Sequence, residues 1–303
     1  MIYKTRGYRA FTICNAIFMV AILIVMAYPY VNVLAKALND SQDTMLGGIT
    51  LWPRVPTLAN FQGLLSDKLL VNSIFISIYR VAIGTILALI VRFMAGYALA
   101  QRYLVGRKSI LIFFMIPMYF GGGLIPQYML YKTLGLINNF WVYVLPGMFA
   151  FFEMIMIRTY MNTLPDSLYE SAKLDGANHF QIFIRLTIPL SIPILATVTL
   201  WTAVAHWNDW VTTLYFVPTR KDLYTLQYVL SEIIREADRI KGMIRAMIEA
   251  GESMEDVAKQ NIATTPEALR AAQVILTTLP IIMLYPFLQK YFIKGIMIGA
   301  IKE

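Results

Sequence analysis

Residues 170–189 read ESAKLDGANHFQIFIRLTIP. Glu170-Ser171-Ala172 comes first, Gly176 follows after three residues, and Leu186-Thr187-Ile188-Pro189 follows after nine more. The segment is polar and helix-prone, yet it lies between two strongly apolar stretches. A membrane chain has little reason to keep it there unless something soluble docks on it. Just before it, Thr163-Leu164-Pro165-Asp166 opens a helix. Thr163 or its neighbour can cap, proline suits the first turn, and Asp166 favours the positive helix end. That helix is expected to run to Leu174 or Asp175. Gly176 then supplies a break, and Asn178 caps a second short helix through Arg185. Leu168, Ala172 and Tyr169 fall near one face, with Glu170 and Lys173 beside them. The expected product is a two-helix knob with an apolar face and charged flanks. An amphipathic helix lying on lipid is the competing picture, and the acidic face and internal glycine turn argue against it.

Composition agrees with a membrane setting. The 303-residue chain is 58% hydrophobic and 15% charged, with a mean hydropathy of +0.60. Soluble domains average about 25% charged residues. The net charge of +8 does not indicate nucleic acid, because the cations sit in short stretches between apolar runs without an aromatic-basic groove pattern. Cys14 is the single cysteine, so no internal disulfide or cysteine-based metal site is expected. Phe11-Thr12-Ile13 lacks the small residues of a lipoprotein cleavage site. No A-x-A signal follows the first apolar run, which is expected to be an uncleaved span.

A helix crossing about 30 Å of hydrocarbon needs about 20 apolar residues. Runs at 11–33, 71–99, 109–130, 140–160, 188–209 and 270–289 qualify, giving an all-α polytopic membrane protein with six transmembrane helices in one domain, 1–303. Helix-disturbing residues recur in them: Pro117, the run from Gly121 to Pro126, Pro146, Pro193, Pro280 and Pro286. Such breaks survive only where neighbouring helices or a wet cavity satisfy the freed backbone groups, which argues for a bundle around a pathway. With both termini cytoplasmic, the inner segments hold 12 cations: Lys4, Arg6, Arg9, Arg102, Arg107, Lys108, Arg158, Lys173, Arg185, Lys290, Lys294 and Lys302. The short outer loops hold four, Lys36, Arg54, Lys68 and Lys132. This bias sets the orientation, puts loop 163–187 in the cytoplasm, and leaves 211–269 outside.

Arg80 and Arg92 fall inside the second apolar run. Each costs roughly 2.5–3.5 kcal/mol at mid-bilayer on insertion scales, so each should face protein or water. Glu153, well within the fourth run, is the expected partner. A structural ion pair inside the bundle is the favoured reading over a cavity lining.

The spacing of 170–189 resembles the EAA loop of the membrane subunits of bacterial ATP-binding-cassette importers: Glu-Ala-Ala, three residues, Gly, nine residues, Ile-x-Leu-Pro. The departures are Ser171 for Ala, Leu186 for Ile and Ile188 for Leu. Further stretches carry the resemblance along nearly the whole chain. They are Asn72-Ser73, Ala95-Gly96-Tyr97-Ala98-Leu99, Gly122-Gly123-Leu124-Ile125-Pro126, Leu134-Gly135-Leu136-Ile137-Asn138, His206-Trp207-Asn208-Asp209-Trp210, Leu226-Gln227, and Tyr285 to Tyr291-Phe292 with Lys294-Gly295. Together they resemble the second, maltose-type permease subunit of carbohydrate importers, in the oligosaccharide and polysaccharide-fragment branch. The resemblance implies a type I importer permease fold in a bacterial cell membrane, a second homologous permease subunit, an ATPase dimer and an extracellular substrate-binding protein. It implies that the knob carrying Glu170, Ser171, Ala172, Asp175 and Gly176 inserts into a groove of the ATPase, Glu170 pairing with a basic residue there.

The chain itself shows no phosphate cradle. Gly106-Arg107-Lys108-Ser109 lacks the earlier glycine and the lysine next to a glycine, so ATP and Mg are expected on the partner subunit and no cofactor or metal here. His206, Trp207, Asn208 and Trp210 are candidates to line a sugar path, since aromatic faces stack on sugar rings, although interfacial aromatics are more often belt anchors. In the outer region, apolar residues recur at helical spacing from Ile233 to Ile248, with charges between them and Gly251 after. By the resemblance this helix, about 231–250, meets the binding protein. An ion-coupled secondary transporter would want a relay of membrane carboxylates, and only Glu153 is well placed. A membrane hydrolase built on His206, Asp209 and Ser191 has neither a nucleophile motif nor a metal-ligand helix to support it.

Overall fold

The computed structural model describes residues 6–249 and 266–300; among them there is no strand, only an isolated bridge between Asn39 and Pro56. Lys4, Lys302, Gly251 and the polar stretch 252–265 lie outside the described residues, as do the side chains at Ile240, Ile244 and Ile248. In chain order the helices are α1 (Arg6–Ala37), α2 (Ser41–Met45), α3 (Ala59–Ser66), α4 (Lys68–Ala100), α5 (Arg107–Tyr119), α6 (Leu124–Thr133) and α7 (Phe151–Met161). There follow α8 (Asp166–Leu174), α9 (His179–Ile182), α10 (Ile188–Leu190), α11 (Ile192–Asn208), α12 (Val211–Phe216), α13 (Leu226–Glu249) and α14 (Pro266–Ala300). The chain divides into two compact units: Met1–Lys68 with Leu230–Leu279, and Leu69–Val229 with Pro280–Glu303.

In the first unit α1 is apolar on every side, and Phe11, Leu23 and Val25 stand exposed around it. That is the signature of a helix surrounded by lipid or other spans rather than one with a single buried stripe. The segment after α1 is built on two buried asparagines. Asn60 donates through Nδ2 to the carbonyls of Ala37 and Asn39, at 2.9 and 2.8 Å. Asn39 donates to Asp43 and Thr44 and accepts from the Val55 amide. The Asn39 amide, helped by Arg54, holds the Asp43 carboxyl below the usual carboxylate range. Lys36 at the end of α1 pairs with Glu267 of α14 at 2.8 Å.

In the second unit α4 is the long central element, and its side chains enter two apolar clusters. Phe93 and Tyr97 pack with Ile157, Met161, Ile182, Phe183, Ile194 and Val198. Earlier on the same helix, Ile76, Ile83 and Leu87 pack against Tyr131, Tyr143, Val144, Phe216 and Val217. From Ile83 to Phe93 a helix rises about 15 Å, so the two clusters are stacked along α4 with the functional region between them.

Among the described residues two helices, Gly7–Ala37 and Lys68–Ala100, are by themselves long and apolar enough to cross a membrane, and up to five spans result if each bent pair counts as one. The expected third span is thus not one rod: α5 and α6 meet at 116°. The break falls at Phe120–Gly123, where Gly123 takes φ +81°, rather than at Pro117, which sits inside α5. The fourth expected span begins as two 3-10 turns, Phe140–Tyr143 and Leu145–Gly147, and bends by 45° into α7. The fifth bends by 81° at Ser191, with Pro193 in the first turn of α11, where a missing N–H costs nothing. The sixth, 270–289, falls inside the 35-residue α14, which carries Pro280 and Pro286.

The region expected as an outer loop from 211 starts as packed structure instead. Thr213 and Thr225 are fully or almost fully buried and share a hydrogen bond. Asn72 of α4 donates to the Asp222 carbonyl at 2.6 Å, and the Leu226 amide donates to Ser77 Oγ. The helix expected at about 231–250 therefore begins at Leu226, and its first turns are anchored by buried Leu226, Val229 and Leu230. Farther on, the exposed pairs Arg235–Glu232 and Arg239–Glu236 mark the wet face.

Candidate functional site

Loop 163–187 folds as two short arms. Thr163 does not cap the first: its hydroxyl donates to the Tyr160 carbonyl at 2.7 Å and so finishes α7, while α8 starts after Pro165 without a side-chain cap. The end of α8 is specified closely. Ala177 N–H donates to Ala172 O and Gly176 N–H to Lys173 O, both at 3.0 Å, with Gly176 at φ +81°. This is the Schellman pattern, in which the left-handed residue is normally glycine. No atom lies within 4 Å of where a Gly176 Cβ would sit. The demand is therefore on the backbone and not on space. Asn178 then starts α9 through a capping box with Gln181, each bond at 2.9 Å. The second arm does not stop at Arg185 but passes through a π-helical turn, Phe183–Thr187, into α10.

The knob is fastened by the side that looks inward. Tyr169, Ala172, Ala177, Leu186 and Ile188 pack on the cluster of Phe93, Tyr97 and Ile157. His179 lies against Tyr103, with a ring nitrogen 3.0 Å from its hydroxyl, and Lys173 sits over the Tyr103 ring at 4.9 Å. The expected single apolar face is thus split. Tyr169 and Ala172 turn in, whereas Leu168, Leu174 and Phe180 stay exposed, as do Glu170, Ser171 and Asp175. Arg102 pairs with Asp166 at 2.9 Å, but Glu170 has no ion-pair partner among the described residues. Glu170, Arg102, Arg107 and Lys173 border an open hollow of about 670 Å³.

The membrane charges form a second constellation. Arg92 of α4 lies 3.7 Å from Glu153 of α7, and donates to Thr202 Oγ1 at 2.8 Å and to the Gly147 carbonyl at 2.6 Å. Arg80 does not share Glu153. It pairs instead with Asp209, donating to both its carboxylate and its carbonyl, and lies 4.6 Å over the Tyr143 ring. Asp209 also accepts from the hydroxyl and amide of Thr212. Sequence reasoning misses this pairing because Asp209 closes an apolar run just where the helix ends, and nothing local points to an arginine 129 residues earlier.

Both pairs border a cavity of about 430 Å³, together with Gln127, Tyr131, Tyr143, His206 and Thr212. Of the four residues expected along a sugar path, only His206 reaches it. Its ring is wedged between Gly84, where a Cβ would come within 2.6 Å, and Gly147. Trp207 is buried elsewhere, Asn208 accepts from Gln227, and Trp210 is partly exposed away from the cavity. Ser191 is fully buried and does not border the cavity, so the His206, Asp209 and Ser191 set does not assemble.

Residues 81–298 match the family described as binding-protein-dependent transport system inner membrane components. The chain belongs to this family. As a member it is a multi-pass membrane transport permease. It is 31% identical over 300 residues to Protein LplC of Bacillus subtilis (strain 168), covering 99% of this chain and 97% of that one. It is 27% identical to the polygalacturonan/rhamnogalacturonan transport system permease protein YtcP of the same organism, over 94% of this chain and 96% of that one. Among solved structures it resembles a chain of a bacterial ABC transporter involved in the import of the acidic polysaccharide alginate. That match has a TM-score of 0.81 at 26% identity, covering 96% of this chain and all of that chain. This permease therefore has the fold that the EAA-like spacing implied.

Proposed function

We propose that this permease is one transmembrane subunit of an ATP-driven oligosaccharide importer. It forms half of the translocation pathway beside a second, homologous permease. Its six spans leave both termini and loop 163–187 in the cytoplasm, where the loop docks on a separate ATPase dimer that holds ATP and Mg. An extracellular binding protein delivers the glycan, and the outer helix α13 helps to engage it. The relatives support the glycan class, and the bent spans around a polar cavity support a pathway.

The observation that carries the coupling role is the build of the knob. It is capped at both turns and packed onto α4, α7 and α11, yet it leaves an unpaired carboxylate and three exposed apolar side chains facing outward. A surface of that kind is fixed in place and unsatisfied, which suits a docking element. Among the described residues the two carboxylates in the apolar runs, Glu153 and Asp209, both face arginines, which disfavours an ion-coupled relay. The test is Glu170→Lys in the assembled system. Membrane insertion should persist while ATPase co-purification and sugar uptake collapse. Wild-type uptake with the ATPase still bound would remove Glu170 from the docking role.

A further inference from the structure

The relatives transport both neutral and acidic glycans by name, so resemblance alone does not choose between them, whereas the cavity beside α4 has a defined polarity. Its two arginines are almost completely covered, with side chains 3% and 5% exposed, while their partners Asp209 and Glu153 are 28% and 22% exposed. Arg80 and Arg92 spend their terminal nitrogens on Asp209, Thr202 and the Gly147 carbonyl, and each Nε is buried without a partner. The guanidinium groups are thus largely engaged and almost wholly covered, whereas their carboxylate partners are the more open charged groups of the cavity.

Glu153 is the clearer acceptor of the two. It makes no hydrogen bond among the described residues, and its nearest cationic atom is 3.7 Å away. A carboxylate offers about four acceptor positions, and Glu153 borders the hollow. Gln127 donates its Nε2 to the Tyr131 hydroxyl at 2.7 Å, which leaves its carbonyl oxygen free on an exposed side chain. Asp209, already taking Arg80 and Thr212, has less capacity left. The two arginines and two carboxylates sum to no formal charge, so nothing here attracts an anion. The reachable ends are negative, and an anionic ligand would meet like charge in a poorly solvated space. A volume of about 430 Å³ lies within the roughly 300–1,000 Å³ of small-molecule sites.

We propose that this cavity is a sugar-hydroxyl subsite: Glu153, Gln127 and Asp209 accept hydrogen bonds from hydroxyls of an uncharged glycan unit, and their charge disfavours uronates. Arg80 and Arg92 act as positioning residues that hold the two carboxylates in place at the cavity wall. The proposal rests on the importer reading and adds the substrate class that this subunit admits.

The test uses the complete importer, with Cys14→Ser and Ala205→Cys in this chain, because Ala205 lines the cavity and is exposed. The rate of maleimide alkylation at 205 is read by mass shift on this chain, with maltotetraose or tetragalacturonate added at equal ionic strength. Maltotetraose should slow labelling, and tetragalacturonate should need about a tenfold higher concentration or more for the same effect. Adding Arg92→Gln with Glu153→Gln removes both charges together, and should abolish protection by maltotetraose. If that pair fails to assemble, Gln127→Leu carries the test, since this exposed amide supports no ion pair, and it should weaken protection. Equal or better protection by tetragalacturonate overturns the proposal, as does full protection in the variants. ATP-driven uptake with no protection by either sugar overturns the subsite and leaves the importer reading standing. Failure to bind the ATPase or to take up any glycan strikes the importer reading itself.

Discussion

Loop 163–187 and the cavity beside α4 both hold charge in a chain that has little of it, and they hold it in opposite ways. On the loop, Glu170 is exposed and unpaired, and structure is set by contacts within a few residues: a Schellman turn at Gly176 and a capping box at Asn178. Around the cavity the cations are buried, and each finds its acid far away in the chain, Arg80 with Asp209 at the end of α11 and Arg92 with Glu153 of α7. A charge left to solvent can serve a partner, because meeting that partner costs little desolvation. A charge buried with its counter-ion is committed to the fold, and only the more open member of the pair can address a ligand.

The comparison is most exposed to failure at Arg80. Asp209→Ala would leave a covered guanidinium without its counter-charge, and breaking such a pair costs about 3–5 kcal/mol. The solubilised protein should lose most of its folded yield or melt far below wild type. Arg80→Met combined with Asp209→Leu should recover much of that loss, since the charges go together. Equal damage from the single and double variants would mean that hydrogen bonds to Thr212 and packing on Tyr143, not charge burial, dominate this corner.

A steric prediction follows in size. Gly84 of α4 meets the His206 ring so closely that a Cβ would lie 2.6 Å from Nε2. Gly84→Ala should cost about 1–3 kcal/mol by overpacking. Because the obstacle is one side chain, His206→Ala should relieve it, and a double-mutant cycle on melting temperature should show strong coupling. Additive effects would show that α4 and α11 part without involving the ring.

Gly176 should behave differently, because the space around its Cβ is open. Gly176→Val forces a β-branched residue into φ +81° at a cost of roughly 1–2 kcal/mol, and the loss should stay local. Melting of the spans should hardly change while ATPase coupling falls. Gly176→Asn, which tolerates that conformation better, should retain more coupling. Global destabilisation by Gly176→Val would show that the knob is an integral part of the core rather than a device mounted on it.

The same contrast separates what is legible in the sequence from what is not. Gly176 and Asn178 are legible because their bonds close within a few residues, and so are the apolar runs, since span length is a property of continuous sequence. Thr163 misleads because a threonine before Pro-Asp has two uses, and here it closes the helix behind it. The pairing of Arg80 is not legible: Glu153 is the acid that stands out in an apolar run, and the choice between it and Asp209 depends on how three helices cross. The bends at Gly123 and Ser191 are only half legible, because proline and glycine mark where a helix can break but not the angle that packing selects. The packed stretch from Val211 to Thr225 reads as loop because its burial comes from α4, far away in the chain.

The smallest effect is expected at the ion pair with the better distance. Arg102 and Asp166 sit 2.9 Å apart beside the knob, closer than the 3.7 Å between Arg92 and Glu153. Their side chains, however, are 82% and 63% exposed, so water screens the attraction and both chains lose freedom in holding one geometry. Exposed pairs are worth about 0–1 kcal/mol. Arg102→Ala should therefore leave the melting temperature almost unchanged, and raising the salt concentration should erase what difference remains. Glu153→Ala, which removes the longer contact but strands a covered arginine, should be clearly worse in the same assay. If Arg102→Ala proved as damaging as Glu153→Ala, separation and not burial would rank the charges of this protein, and the contrast between its loop and its cavity would fall.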